Sequence, residues 1–316
     1  MPTPVYRPAP SLLGLCAEPD HLTAVVMARR SGFWRARGAA RETLPAGAVN
    51  NGRVVDFEAV CACLVALRQR LGQRDDQAAL ALPAALTTTR RLQVPAGSAA
   101  TLRALVELEA PRHLDLPLDS VYLDFIAGAA DNTPAGRCTV TLVAAARSDV
   151  DPWLEACRTV GLKPRVVDLD SHGLIRALCW SQPDALPGQG QDLTALIVTG
   201  PDRVSVLIVS GQRLALHQTE PLTAGTDPID TVCTLTHNSL QAFPTASGQT
   251  ALRQLLLIGP FPEAGQLSAR LAGLAGQPPR QVKRPRSLPG RPRHPAVPAD
   301  FASFAATGLA LWRSRP

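Results

Sequence analysis

The chain has 316 residues, 46% of them hydrophobic and 18% charged. That profile excludes a disordered chain and leaves room for one large or two medium domains around a buried core. The net charge of +6, carried almost wholly by Arg with Lys only at Lys163 and Lys283, permits contact with nucleic acid or anionic lipid without demanding it.

Residues 1–10 hold four Pro and no apolar signal core, and no run reaches the roughly 20 apolar residues a membrane helix needs, so the sequence predicts a cytoplasmic protein. Seven scattered Cys without a Cys-x-x-Cys pair argue against a disulfide framework and against a structural zinc.

Residues 11–16 and 22–28 are predicted as short strands around a Glu18-Pro19-Asp20 turn, with a third strand at 33–44. Asn50-Asn51-Gly52 is a turn signal. Asp56 should cap a helix to about Leu71, with Val60, Leu64 and Leu67 on one face. A short apolar strand at 78–82 ends at Pro83, and another at 90–94 ends at Pro95. Ser98 should cap a helix through Glu109, with Leu102, Leu105 and Val106 at helical spacing. Strands follow at 121–126 and 138–144. Asp149 or Asp151 should then cap a helix over 153–160, ended by Gly161. A strand at 165–168 and a helix at 171–179 precede residues 183–191, whose Pro and Gly content reads as a linker.

Beyond that linker, 193–198, 203–209 and 213–218 form a meander with Gly211 in its second turn. A helix at 228–243, a strand at 254–258, a helix at 265–274 and a strand at 280–282 follow. A basic, Pro-rich loop leads to a final helix at 300–312, whose Phe301, Phe304, Leu309 and Trp312 should pack on the first domain. Three strands, a helix and a strand therefore occur twice. Two such halves are the pattern of the actin and sugar-kinase superfamily, in which a nucleotide lies between duplicated ribonuclease-H-like domains.

Particular stretches carry a closer resemblance. These are Asn51-Gly52-Arg53-Val54-Val55-Asp56, Ala81-Leu82-Pro83 and Arg90-Arg91-Leu92-Gln93-Val94-Pro95. Val106-Glu107-Leu108-Glu109-Ala110, Leu116-Pro117-Leu118-Asp119-Ser120-Val121-Tyr122-Leu123-Asp124-Phe125, Gly161-Leu162-Lys163-Pro164 and Asn238-Ser239-Leu240-Gln241-Ala242-Phe243 extend it. Together they resemble the PilM family of type IV pilus assembly proteins. The resemblance implies an actin-like α/β fold with an inserted α+β subdomain in the first half and a shortened second domain. It implies a first subdomain over 1–87, completed by 168–182 and the helix at 300–313. The insert would span 88–167, the linker 183–191, and the second domain 192–299 with a basic loop at 280–295. It further implies a cytoplasmic scaffold held at the inner membrane by a PilN-like partner. The partner's short N-terminal peptide would lie in a groove between the first subdomain and the insert. Leu92, Val94, Leu105 and Leu108 are the implied contacts, and an oligomer is compatible.

The residues an actin-like ATPase needs are degenerate. A first phosphate loop wants an acid to position the metal and a Gly for close backbone approach. Here Gly14-Leu15-Cys16-Ala17-Glu18-Pro19-Asp20 sets Cys16 in place of the acid and Glu18 in place of the Gly, while Pro19 removes a donor. The second loop keeps Gly200 but has Val198 for its acid, and the adenosine-side run is reduced to Gly259-Pro260-Phe261-Pro262. The sequence predicts no cofactor.

No Gly-x-Ser-x-Gly, His-Glu-x-x-His or P-loop is present, so neither an enzyme nor a metal site is predicted. The six His read as surface residues. Asp168 and Asp170 fit an acid–base pair less well than helix capping by Asp170 or Ser171. Arg280 to Arg293 is a basic run whose Pro residues block a helix; it reads as a solvated loop or an anionic-lipid contact, and it lacks aromatics for base stacking. The reading is a nucleotide-free scaffold. A residual ATP-binding switch is the alternative, and a basic nucleic-acid-binding module is the least favoured.

Overall fold

The computed structural model describes residues 11–30, 33–72, 76–127, 136–186, 193–200, 203–223, 225–242, 252–261, 264–282 and 300–312. The first half runs β1 (Ser11–Ala17), β2 (His21–Arg30), β3 (Phe33–Thr43), β4 (Val49–Asn50), β5 (Arg53–Val54), α1 (Phe57–Leu71), β6 (Gln77–Leu82), β7 (Thr87–Pro95), α2 (Ala99–Glu109), β8 (Val121–Ala127), β9 (Arg137–Ala146), α3 (Arg147–Thr159), β10 (Lys163–Leu169) and α4 (Asp170–Ser181). The second runs β11 (Leu193–Thr199), β12 (Arg203–Ser210), β13 (Arg213–Pro221), α5 (Pro228–Gln241), β14 (Leu252–Ile258), α6 (Ala264–Ala275), β15 (Arg280–Gln281) and α7 (Phe301–Ala310).

The duplication is visible in the sheets. One has the order β10-β6-β1-β2-β3 and the other β13-β12-β11-β14-β15. In each, an antiparallel meander is extended from its first strand by two parallel strands. A third, antiparallel sheet, β7-β9-β8, interrupts the first half with α2 packed on it.

Local chemistry sets the boundaries. Asp56 accepts from the Ala59 amide and caps α1, Ser98 from the Thr101 amide for α2, and Asp300 from the Ser303 amide for α7. Asn51 and Gly52 both take positive φ in the two-residue turn between β4 and β5, the geometry a tight hairpin needs. Helix α3 differs from expectation. It starts at Arg147, not after Asp151, and its N-cap is Ala146. Asp149 instead faces Arg53, 2.8 Å from its Nε, and Pro152 is accommodated inside the helix. The expected linker also begins as a packed turn, since Ala185 and Leu186 are buried in the second-half core; residues 187–191 lie outside the described residues.

Each strand of the first sheet splits its side chains between two layers. Leu13, Leu15, Leu22, Ala24 and Val26 face α1 and α3, while Cys16, Val25 and Met27 face α7. In the second sheet, Ala195 and Ile197 face α5 and α6, and Leu196 and Val198 face α4. Helices α4 and α7 thus lie between the sheets. Every residue of α7 from Ala302 to Ala310 is buried. Leu309 and Trp312 pack on Leu12, Ala79 and Val166 of the first half as expected. Phe304 and Phe301 go the other way, into the core with Leu196 and Val198, because α7 is shared by both halves.

That sharing depends on glycine. A Cβ on Gly14 of β1 would sit 1.9 Å from the Ala306 carbonyl oxygen, and one on Gly308 would sit 1.7 Å from that of Gly173 in α4. Gly14 is thus required by the packing of α7 on β1. Gly14→Ala is expected to destabilise the fold by about 2–3 kcal/mol through overpacking. Gly273→Ala, in α6 with open space around it, should be neutral or stabilise by roughly 0.5–1 kcal/mol. Urea unfolding of both variants checks the contrast.

Candidate functional site

The stretches read in the sequence as degenerate phosphate and adenosine loops lie at the β1–β2 turn and at the ends of β11 and β14. Cys16 is 2% exposed and packs against Ala302 and Ala306. Burial, with the charges of Glu18, Asp170 and Asp300, pushes its thiol pKa well up, so it stays neutral where an acid would be needed. Val198 is buried in the core. Gly200 donates to the Arg203 carbonyl in the β11–β12 turn. Gly259, at φ 103°, lies so close to β11 that a Cβ would stand 2.3 Å from the Thr199 carbonyl oxygen. The Pro260 carbonyl accepts from Thr199 Oγ1 at 2.8 Å, tying the end of β11 to the loop after β14. Pro201, Asp202 and Pro262 lie outside the described residues.

At the β1–β2 turn, His21 is buried, against the expectation of a surface residue. Its Nδ1 is 2.6 Å from Asp20 Oδ1 and its Nε2 is 2.7 Å from Glu18 Oε2. Burial disfavours the imidazolium, but Glu18 outweighs it and raises the pKa. His217 is a second buried His, its pKa lowered to about 4 by desolvation.

Asp168 and Asp170 part company. Asp168 receives Arg176 Nη2 at 2.6 Å and lies 3.1 Å from His172 Nδ1. Burial opposes its charge, yet the His172 hydrogen bond and the Arg176 guanidinium hold its pKa below the ordinary value. Asp170 opens α4, is buried, and accepts from the Ser171 amide at 2.6 Å; desolvation raises its pKa to about 7. The expected helix capping by Asp170 or Ser171 is not seen either: the N-cap of α4 is Leu169, without a side-chain bond.

A second concavity runs between the insert and the first sheet. It has a volume of about 310 Å³ and is walled by Tyr122 to Ile126 of β8, by Leu154 of α3, and by Val167 and Leu169 of β10. Consecutive β8 residues line it, so it follows the strand edge as well as one face. β8 ends the insert sheet and β10 ends the first sheet, so each presents an edge without a strand partner among the described residues. Apolar side chains remain open there, with Ile126 46% and Val167 38% exposed. The rim is polar: Tyr122 Oη lies 2.7 Å from Asp151 Oδ1 and Arg147 stacks on the Tyr122 ring.

The contacts implied by the sequence sit elsewhere. Leu92 and Val94 are buried in the insert core with Leu102 and Val106, because α2 covers that face of β7. Leu105 packs against the same core, and Leu108 is 69% exposed on α2. None of the four lines the groove. Tyr122 to Phe125, which do line it, belong to the stretch that carries the family resemblance and not to the implied contacts.

Comparison with known proteins joins these features. Residues 19–224 match the family model of the type IV pilus assembly protein PilM. The chain belongs to the PilM family. A solved PilM–PilN type IV pilus biogenesis complex contains a chain 20% identical, with a TM-score of 0.77 over 95% of this chain and 97% of that one. The ethanolamine utilization protein EutJ from Carboxydothermus hydrogenoformans is 13% identical, with a TM-score of 0.52 over 96% of this chain and 90% of EutJ. The actin-like fold is thus common to this PilM-family chain and its structural neighbours, and the catalytic residues are not implied by it. No helix among the described residues is long and apolar enough to cross a membrane.

Asp170 gives this PilM-family cleft a measurable pH signature. Its carboxyl ionises near 3.8 in the unfolded chain and near 7 in the fold. Between those values the unfolded state binds fewer protons, so this group lowers stability as pH rises from about 4 to 7. Asp170→Asn keeps an oxygen for the Ser171 amide and removes the charge. It should raise stability at pH 8 by on the order of 2 kcal/mol, with the gain vanishing below about pH 4 in urea titrations.

Proposed function

We propose that the chain is a cytoplasmic scaffold of a type IV pilus or related machine. It binds the N-terminal cytoplasmic peptide of a PilN-like inner-membrane protein, without nucleotide, and is held at the membrane by that partner. The observation that carries this reading is the apolar groove between two sheet edges. An extended peptide gains main-chain hydrogen bonds from an open strand edge and buries alternate side chains in the adjoining pocket. β8 has 7 residues, enough for a short segment. Family membership and the PilN-containing complex among the structural neighbours support the choice of partner.

Ile126→Glu and Val167→Glu should each weaken binding of the partner's N-terminal peptide at least tenfold, measured by fluorescence anisotropy. Their melting temperatures should stay close to wild type, because both side chains are partly exposed. Leu108→Glu, outside the groove, should bind normally. Unchanged affinity in both groove variants would sink the assignment.

The nucleotide-free part rests on Cys16, Glu18, Val198 and Pro260, and on the tie between Thr199 and Pro260. One observation favours a residual ATP switch instead. A cavity of about 580 Å³ remains at the ends of β11 and β14, lined by Thr199, Gly200, Ile229, Val232, Pro260 and Phe261. Among the described residues its lining holds neither an acid for a metal nor a cation for phosphate. Calorimetry and thermal shift with Mg-ATP at about millimolar concentration should therefore detect no binding, where a ligand at a hundredfold excess over its Kd adds about 2.7 kcal/mol of stability. The basic run from Arg280 to Arg293 offers a second, electrostatic contact to anionic headgroups; residues 283–293 lie outside the described residues.

A further inference from the structure

We infer that the β1–β2 turn and the start of α7 form a binding site for one divalent transition-metal ion, of which zinc is the best match. The ligands are Glu18, His21 and Asp300, whose ligating atoms all lie within 4.8 Å of one another. Metal–ligand bonds of about 2.0–2.2 Å bring His nitrogens and carboxylate oxygens to such mutual distances. This site goes beyond the scaffold reading and does not depend on it.

The arrangement of His21 makes the case. Its Nδ1 lies 2.6 Å from Asp20 Oδ1, so a carboxylate holds one ring nitrogen while Nε2 faces Glu18. A metal-bound His is ordinarily oriented in this way, by a carboxylate on its other nitrogen. Nε2 is fully buried and makes no hydrogen bond, although Glu18 Oε2 stands 2.7 Å away. A buried ring nitrogen this close to a carboxylate calls for a positive charge, which a proton on the imidazole supplies or a metal ion that replaces that proton.

Charge and donor type agree. Glu18, Asp20 and Asp300 place three carboxylates around one imidazole, and the facing cation is Arg41, whose Nη2 is 2.7 Å from Asp300 Oδ2. Asp300 Oδ1 accepts from the Ser303 amide and hydroxyl. A carboxylate has about four lone-pair positions, so these bonds leave room for a metal contact. An imidazole with two carboxylates suits zinc or manganese, whereas magnesium prefers oxygen alone. The side chains of Glu18, His21 and Asp300 are 11–15% exposed, open enough for an ion to enter. Asp300 is the N-cap of α7 while Glu18 and His21 belong to the first hairpin, so the ion would staple the interdomain helix to that hairpin.

The test uses the full chain after exhaustive chelation. Calorimetry with ZnCl2 should give one ion per chain and a raised melting temperature, with MgCl2 giving neither. His21→Ala should abolish both effects. Asp20→Asn should weaken zinc binding about 10–100-fold by freeing the imidazole orientation. If His21→Ala does not fold, by circular dichroism, Glu18→Gln takes its place and should lose at least tenfold in affinity. Absence of zinc binding, or equal stoichiometry and affinity in wild type and the folded variant, would overturn the assignment.

Discussion

The contact between backbone and backbone where α7 crosses β1 and α4 is the constraint on which the rest of this molecule depends. Gly14, Gly173 and Gly308 have no Cβ to keep the three elements apart, and the carbonyls of Ala306, Ala305 and Gly173 occupy that space. With side chains there, the helix would stand off and the two sheets would lose their shared layer. Close approach explains why α7 is built so largely of Ala and other small residues, and why Phe304 and Leu309 extend in opposite directions into the two halves.

The same packing accounts for the altered cleft. In an ATP-dependent relative of this fold, the equivalent strand ends must leave charged groups and backbone donors available to phosphate. Here Cys16 is turned into the α7 interface, Val198 into the second core, and the Thr199–Pro260 bond links the loops that would part around a ligand. The halves are joined by apolar contact, which no ligand has to supply. On the insert side, β8 and β10 end their sheets across an apolar trough.

Much of this was legible in the sequence, and the reasons differ by element. The caps Asp56, Ser98 and Asp300 each act within three residues along the chain, so their helices could be located closely. The duplicated order of strands followed from periodicity, and the degenerate loops from single residue types at motif positions. Contacts distant along the chain were harder. Leu92 and Val94 alternate as a ligand-facing strand would, but only the position of α2 decides that their face is a core. Val167 and Leu169 meet β8 residues across the groove solely through the sheet order. Nothing local marks His21 as buried, because one of the carboxylates beside it, Asp300, comes from the far end of the sequence.

Packing α7 against the first sheet has a consequence for synthesis on the ribosome. β1 and β2 present Cys16, Val25 and Met27 toward a helix that is translated last among the described elements. At about 5–20 residues per second, that delay is roughly tens of seconds. Throughout it, one apolar face of the nascent first sheet stays uncovered while the second half is already emerging. Apolar surface left open during folding invites aggregation, and holdase chaperones bind chains in that state, so biogenesis of this chain should lean on them more than its finished stability would suggest.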